Sequence, residues 1–270
     1  MYKYSDSFID FHHSYDRTPK EEDFKLSAHE KNEIYYFITG KGSYLVEGTV
    51  YKLQPGCLMI MRAGEFHKLL IEPDLPYERM AVHFSSDLLR DVDPQGELLS
   101  AFIKRPLGSG NLFLPTEIGT GHIYECLKSI DSAGKDKYSR RLAVICNLYS
   151  ILYEIKVASE LRSSSRTKEP KNDIINEIIA YINANLSGEL SLEDICGRFF
   201  ISKNHINRLF KSSTGTTVWD YIRIKRLYLA KELMTGGLTA SAACQNSGFK
   251  DYSSFYRAYV SRFGVSPKKD

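Results

Sequence analysis

Asn204, Asn207 and Arg208 stand in a segment running from Lys203 to Lys211 and on to Gly215; Ser253, Tyr256 and Arg257 stand in one running from Tyr252 to Val260 and on to Gly264. Aligned about fifty positions apart, Ile206 pairs with Phe255, Arg208 with Arg257, Phe210 with Tyr259 and Gly215 with Gly264. The apolar members recur at i and i+4 and so share one helical face, which leaves the polar ones on another. Arginine hydrogen-bonds guanine and asparagine hydrogen-bonds adenine, each good bidentate pair giving roughly 1–3 kcal/mol of discrimination. The chemistry is recognition of base edges by two helices of one design. Ser191, Lys203, Lys211, Thr216, Lys225 and Lys250 lie beside these faces and are the candidate phosphate contacts, which set register without reading sequence. Arg226 fits a structural ion pair as well as a phosphate contact.

The elements that must hold these residues follow from periodicity and punctuation. Asp173 is placed to cap a helix carrying Ile174, Ile175, Ile178, Ile179 and Ile182; Ser191 and Ser202 start two more, and Val218 to Thr235 form a longer one before Gly236 and Gly237. Eighteen residues at 1.5 Å each make a rod of roughly 27 Å, able to hold two recognition helices about one turn of B-DNA, roughly 34 Å, apart. Residues 171–270 carry 14 Lys and Arg against 9 Asp and Glu, whereas the remainder is slightly acidic, so the basic excess sits with the repeat.

Upstream, Phe24 to Phe84 has short runs rich in Tyr, Ile, Val and Phe, broken by glycines and prolines, which predicts an antiparallel sandwich or small barrel. Residues 1–23 read as a polar arm. Irregular structure with some helix is expected between Asp87 and Pro115. Two helices, near Glu117 to Ala133 and Ser139 to Leu161, close the domain. The second has two apolar stripes, one with Leu142, Ile145, Cys146, Tyr149, Leu152 and Tyr153, the other with Val144, Leu148, Ile151 and Ile155. One stripe is expected to pack on the barrel and the other on a second subunit, although a helix inside its own domain has the same spacing. The fold class is α+β: residues 1–160 form the barrel domain, 161–172 a polar linker, and 173–270 an all-α domain. Five widely spaced cysteines form no disulfide frame, and no leader or membrane-length apolar segment is read, so a reducing cytoplasm is expected.

From Asp173 to Pro267 the sequence resembles the AraC/XylS family of bacterial transcription regulators. The resemblance rests on LSLEDIC at 190–196, Ser202, the IxRLFK run ending at Lys211, and Gly215. It continues through Tyr221, Arg226, Ala230, Gly248, Phe249, FYRAY at 255–259, Phe263, Gly264 and Pro267. It implies two DNA-binding helix-turn-helix motifs joined by a long helix, with Asn204, Asn207, Arg208, Ser253, Tyr256 and Arg257 at the bases. Departures are Ala240 and Ala243 where bulky aliphatics are usual, Cys196 and Cys244 where alanine is usual, and Phe200 where glycine is frequent.

Residues Ser27 to Ile71 resemble a cupin, the small barrel that many such regulators carry as a sensor. Ser27, His29, Glu33 and Gly40 follow the first cupin motif with serine for its first histidine; Gly56, Arg62, Gly64 and His67 follow the second with arginine for its proline. The resemblance implies a pocket with His29, Glu33 and His67, beside Tyr35, Tyr36 or Tyr44, for a small hydroxyl-rich effector, a carbohydrate first. The lost ligand position argues against a metal, and no cofactor or catalysis is expected. His29, Glu33 and His67 could still form a two-histidine, one-carboxylate face, so a metal-dependent cupin enzyme fused to a DNA reader is one alternative. A ligand-independent DNA-binding protein is another. The expected partners are double-stranded DNA, the effector, a second copy of the chain and, for an activator, RNA polymerase, with no membrane.

Overall fold

A computed structural model describes residues 2–24, 26–73, 75–134, 136–165 and 174–268. Two compact units divide the chain, Met1–Lys171 and Asn172–Asp270. The first contains strands β1 (Tyr2–Ser5), β2 (Ile9–Asp16), β3 (Asn32–Thr39), β4 (Gly42–Val46), β5 (Thr49–Lys52), β6 (Leu58–Met61), β7 (His67–Ile71), β8 (Tyr77–Phe84) and β9 (Leu112–Phe113). They form a six-stranded sheet in the order β1-β2-β8-β3-β6-β9 and a three-stranded sheet in the order β5-β4-β7, with every pairing antiparallel. The first two strands correct the expected arm: Ile9 and Phe11 are fully buried, because β2 pairs with β8 along its whole length.

Alternation along β3, β6 and β8 supplies two cores. Ile34, Tyr36, Leu58, Ile60, Met80, Val82 and Phe84 point to one side, where they meet the helices; Tyr35, Phe37, Met59, Met61 and Tyr77 point to the other, where they meet Tyr44, Val46, Leu69 and Ile71 of the smaller sheet. A strand whose residues are buried on both faces reads as a continuous apolar run, as Leu58–Met61 does. The two-residue turn between β4 and β5 has Glu47 at φ 47° and Gly48 at φ 88°, the doubly positive pair that a tight hairpin turn demands.

The segment expected to be irregular contains α1 (Ser100–Ile103) and β9, and the closing helices are α2 (Thr120–Asp131) and α3 (Lys137–Ser165). Helix α3 therefore runs into the region expected to be linker; residues 166–172 of that linker, and the expected Asp173 cap, lie outside the described residues. By length and composition Lys137–Arg162 would pass for a membrane span, contrary to the sequence reading. Its apolarity has a local cause: Val144, Leu148, Ile151, Leu152 and Ile155 are fully buried in the core shared with the large sheet and α2. The expected two stripes are followed only in part: Leu142, Cys146 and Tyr153 of the other stripe are exposed, but its Leu152 is fully buried and its Ile145 and Tyr149 pack against the same core.

A buried ion pair ties the loop before β9 to the turn before β7. Glu65 is fully buried; Arg105 Nη1 and Nη2 donate to its two carboxylate oxygens at 2.8 and 2.7 Å, and the Gly108 and Arg62 amides donate at 2.9 and 3.0 Å. Burial pushes the carboxyl up, but the Arg105 charge and these hydrogen bonds outweigh it and bring its pKa down to about 2. Arg105→Ala is expected to cost about 3–5 kcal/mol in urea unfolding, because it strands a buried charge. Since the folded pKa is depressed, the pair's contribution is complete above the ordinary carboxylate pKa and is lost as pH falls toward 2. An unchanged midpoint in the variant would remove the pair from the account of stability.

Candidate functional site

The second unit is all helical: α4 (Ile174–Ala184), α5 (Leu192–Phe199), α6 (Lys203–Thr214), α7 (Val218–Thr235), α8 (Ala240–Asn246) and α9 (Tyr252–Phe263). Capping side chains start five of them. Ser191, Ser202, Thr217, Thr239 and Asp251 each accept a hydrogen bond from the amide three residues on, satisfying a donor that the first turn otherwise leaves open. Helices α6 and α9 are built alike, each of 12 residues and each closed by a left-handed glycine, Gly215 at φ 76° and Gly264 at φ 75°. Ile206 and Phe210 on α6, and Phe255 and Tyr259 on α9, are fully buried.

The opposite faces carry the sequence-predicted base contacts. Asn204, Arg208, Ser253, Tyr256 and Arg257 are exposed and Asn207 is half-buried. Among the phosphate candidates, Lys203 is exposed and paired with Glu193, and Lys250 lies 3.2 Å from Glu189 with both side chains exposed. Such exposed pairs are weak and readily exchanged for another anion. Lys211 is exposed and Thr216 half-buried, while the Ser191 hydroxyl, half-buried, caps α5. Lys225 requires correction. It is buried, with Nζ 5.4 Å from the centre of the Tyr221 ring, because its position on α7 faces the packed side of the unit. Arg226 is structural: Nε donates to the Leu186 carbonyl at 2.9 Å and Nη2 to that of Gly188 at 2.8 Å. A Cβ on Gly248 would come within 2.3 Å of the same Leu186 oxygen, which explains the glycine.

Phe200 closes α5 in the left-handed region at φ 53° and is almost wholly exposed, so the frequent glycine of the resemblance has a conformational reason. Ala240 beside Met234, Leu238 and Tyr252 lines an open groove of about 690 Å³, the space that small side chains on α8 leave.

In the first unit, His29, Glu33, Tyr35, Tyr44 and His67 line one cavity of about 170 Å³. Tyr36 is on the opposite face of β3, stacked on Tyr124 at 5.8 Å. Glu33 is the centre of the polar cluster: its Oε2 lies 3.0 Å from His29 Nε2, 3.2 Å from His67 Nε2 and 3.6 Å from His83 Nε2. The Ser27 hydroxyl is 2.9 Å from the same His67 nitrogen, and the Tyr35 and Tyr77 hydroxyls are 2.9 Å apart. Burial pushes the Glu33 carboxyl up, but the charge of His83 and hydrogen bonds from His29, His67 and His83 outweigh it and hold it well below the usual carboxylate range. Burial pulls the His67 imidazole down, and the hydrogen bond and charge of Glu33 more than reverse that.

His83 and Arg79 also line the cavity and are missing from the sequence reading. Both are on β8, at the alternating positions that face inward with Tyr77. Register places His83 directly opposite Glu33. Their signal is this two-residue spacing, legible once Tyr77–Phe84 is recognised as a central strand.

A cavity inside a β-sandwich, on the same chain as paired, capped helices with exposed Arg and Asn, defines a DNA-binding transcription regulator with a separate ligand-binding domain. Residues 195–269 match the helix-turn-helix domain family and residues 14–128 the AraC-like ligand binding domain family. The HTH-type transcriptional activator AarP of Providencia stuartii is 34% identical over 98 residues, which is 36% of this chain and 73% of that one. Over nearly full length, the Msm operon regulatory protein of Streptococcus mutans is 19% identical (96% of this chain, 90% of that one). The lactose operon transcription activator of Staphylococcus xylosus is also 19% identical (90% and 84%). The chain belongs to the AraC family of transcriptional regulators.

Arg208→Ala is expected to lose roughly 1–3 kcal/mol at a single base step, whereas Lys203→Ala weakens binding to all sequences and flattens the salt dependence. Binding selections with each variant distinguish them; equal loss on every sequence for Arg208→Ala would make it a phosphate contact. Phe200→Gly, by relieving a left-handed non-glycine residue, is expected to raise the stability of the helical unit by up to about 1 kcal/mol. A lower melting temperature would mean that the exposed ring makes a contact worth more than the strain.

Proposed function

We propose that the protein is an activator that reads two successive major-groove segments through α6 and α9 under the control of a small effector held in the amino-terminal cavity. The observation that carries this reading is the matched pair of helices, each with a buried apolar back and a polar face that includes an arginine at the same register. Asn204, Asn207, Arg208, Ser253, Tyr256 and Arg257 contact bases, and Ser191, Lys203, Lys211, Thr216 and Lys250 contact phosphates. As an activator bound beside a promoter it engages RNA polymerase, in the cytoplasm where the DNA is.

The effector is a small polar molecule, a carbohydrate first. Glu33, His29, His67, Tyr35 and Tyr44 offer several donors and acceptors in a small space, which suits hydroxyl groups. Similarity to a relative named for a lactose operon points the same way. Control requires that the effector bind with different affinity in states that do and do not engage an operator.

The active species is a homodimer joined through α3. Leu142, Cys146 and Tyr153 follow helical spacing and are exposed, with Tyr138 and Leu161 exposed near the two ends of the helix. Replacing Leu142 and Tyr153 together by Glu is expected to convert a sedimenting dimer to a monomer with unchanged helicity; an unchanged sedimentation coefficient would place the interface elsewhere. Thermal-shift screening of the full chain against a sugar panel tests the effector class, since a ligand selective for the folded state raises its melting temperature. Responses confined to non-carbohydrates would overturn the carbohydrate assignment.

A further inference from the structure

We propose that the amino-terminal cavity holds a divalent first-row transition-metal ion on Nε2 of His29, Oε2 of Glu33 and Nε2 of His83. The expectation of no metal rests on Ser27 standing where the cupin motif has its first histidine. The pairing of β3 with β8 supplies the missing nitrogen from elsewhere, for His83 is the cross-strand partner of Glu33. His29, four residues before Glu33, returns to the same carboxylate oxygen. One donor atom from each of the three residues can be chosen so that all lie within 4.8 Å of one another. Metal–nitrogen and metal–oxygen bonds of about 2.0–2.2 Å put two ligands of one ion roughly 3 Å apart or slightly more. The distances from Glu33 Oε2, 3.0 Å to His29 and 3.6 Å to His83, bracket that spacing.

The hydrogen bonding of His29 suits a metal ligand. His29 Nδ1 is 2.6 Å from the Lys31 carbonyl, and a carbonyl only accepts, so Nδ1 carries the hydrogen. Nε2, 3.0 Å from Glu33 Oε2, then faces the carboxylate either with a proton on a charged ring or with a lone pair on a neutral one. With the lone pair, Nε2 is free to bind a cation, and an imidazole whose far nitrogen donates to a backbone carbonyl is the usual form of a metal-bound histidine. His67 is a positioning residue: its Nδ1 is held by the Glu65 carbonyl at 2.8 Å and its Nε2 by Ser27 at 2.9 Å, leaving it beside Glu33 at 3.2 Å. Two imidazoles and one carboxylate select zinc, iron, cobalt or nickel over magnesium or calcium, which prefer oxygen shells.

This inference deepens the effector reading by placing an ion in the same cavity, but ion binding is read directly, so the two fail separately. Full-length protein stripped with chelator is titrated with Co2+ and Zn2+, with Mg2+ as control, following the visible Co2+ bands, the bound stoichiometry and the melting temperature. One equivalent of Co2+ and Zn2+ per chain is expected, with a raised melting temperature and no response to Mg2+. His83→Gln and Glu33→Gln are expected to lower the affinity at least about a hundredfold, and His67→Ala about tenfold. Circular dichroism and operator binding of each variant establish that it is folded. Absence of stoichiometric binding by the wild type, or full affinity in folded His83→Gln, overturns the proposal. A sugar-induced thermal shift in stripped protein that binds no metal would leave the effector reading standing without the ion.

Discussion

Strands β3, β6 and β8 have almost no solvent face, and the character of the amino-terminal unit follows from that constraint. One side of each strand is committed to the helices and the other to the smaller sheet, so a polar residue at an inward position must find its partners inside. Glu33 occupies such a position and is met by three imidazoles; Glu65, at the end of the same layer, is met by Arg105. Both carboxyls stay ionised because the cost of leaving water is offset by charged and hydrogen-bonding neighbours at under 4 Å. The two solutions differ in kind. Glu65 is sealed by a bidentate guanidinium and backbone amides and serves the fold, whereas Glu33 lines a cavity and is available to a ligand.

The helical unit follows a different constraint, because its exposed face must be free to vary while its frame repeats. Ser202 and Asp251 start the two recognition helices, Gly215 and Gly264 stop them, and Ile206 with Phe210, or Phe255 with Tyr259, seat them. That frame rests mainly on residues other than those at 204, 207 and 208 or at 253, 256 and 257, most of which are exposed. Sequence preference can therefore change with little change in stability, which is the separation a reader of DNA requires.

Legibility in the sequence followed from how local each signal is. Caps, glycines and 3.6-residue spacing lie within a dozen residues, so Val218–Thr235 could be placed to the residue and both recognition helices closely. Tyr2–Ser5 and Ile9–Asp16 read as a polar arm because Asp10, His12, His13 and Asp16 dilute the apolar signal; Ile9–Asp16 is a strand through its pairing with β8, some seventy positions away, and Tyr2–Ser5 through its pairing with β2. His83 escaped notice for the same reason, as its value lies wholly in the register that sets it against Glu33. Lys225 was misplaced because periodicity assigns a lysine to the surface by default, while its aliphatic stem can be buried with the ammonium over an aromatic ring.

The two recognition motifs share a design but not a core, and the difference bears on how binding energy is divided. Ala240 and Ser241 at the start of α8 line an open groove beside Met234 and Leu238, while Ala243 is buried but small. A run of aromatic contacts replaces what the alanines do not supply: Phe249 on Phe255 at 5.3 Å, Phe255 on Tyr259 at 5.4 Å, and Tyr259 on Phe263 at 4.5 Å. Against α7 itself α9 is held by Phe263 on Tyr228 at 5.5 Å and by Phe255 and Tyr259 in the core with Leu227 and Ala230, an aromatic pair adding roughly 0.5–1.5 kcal/mol beyond its buried area. That matters because specific sites are typically preferred over random DNA by about 4–10 kcal/mol, more than one or two bidentate contacts from a single helix deliver. In the proposed reading both helices contribute base contacts, and the packing that seats α9 supports that role as much as the side chains on its exposed face do.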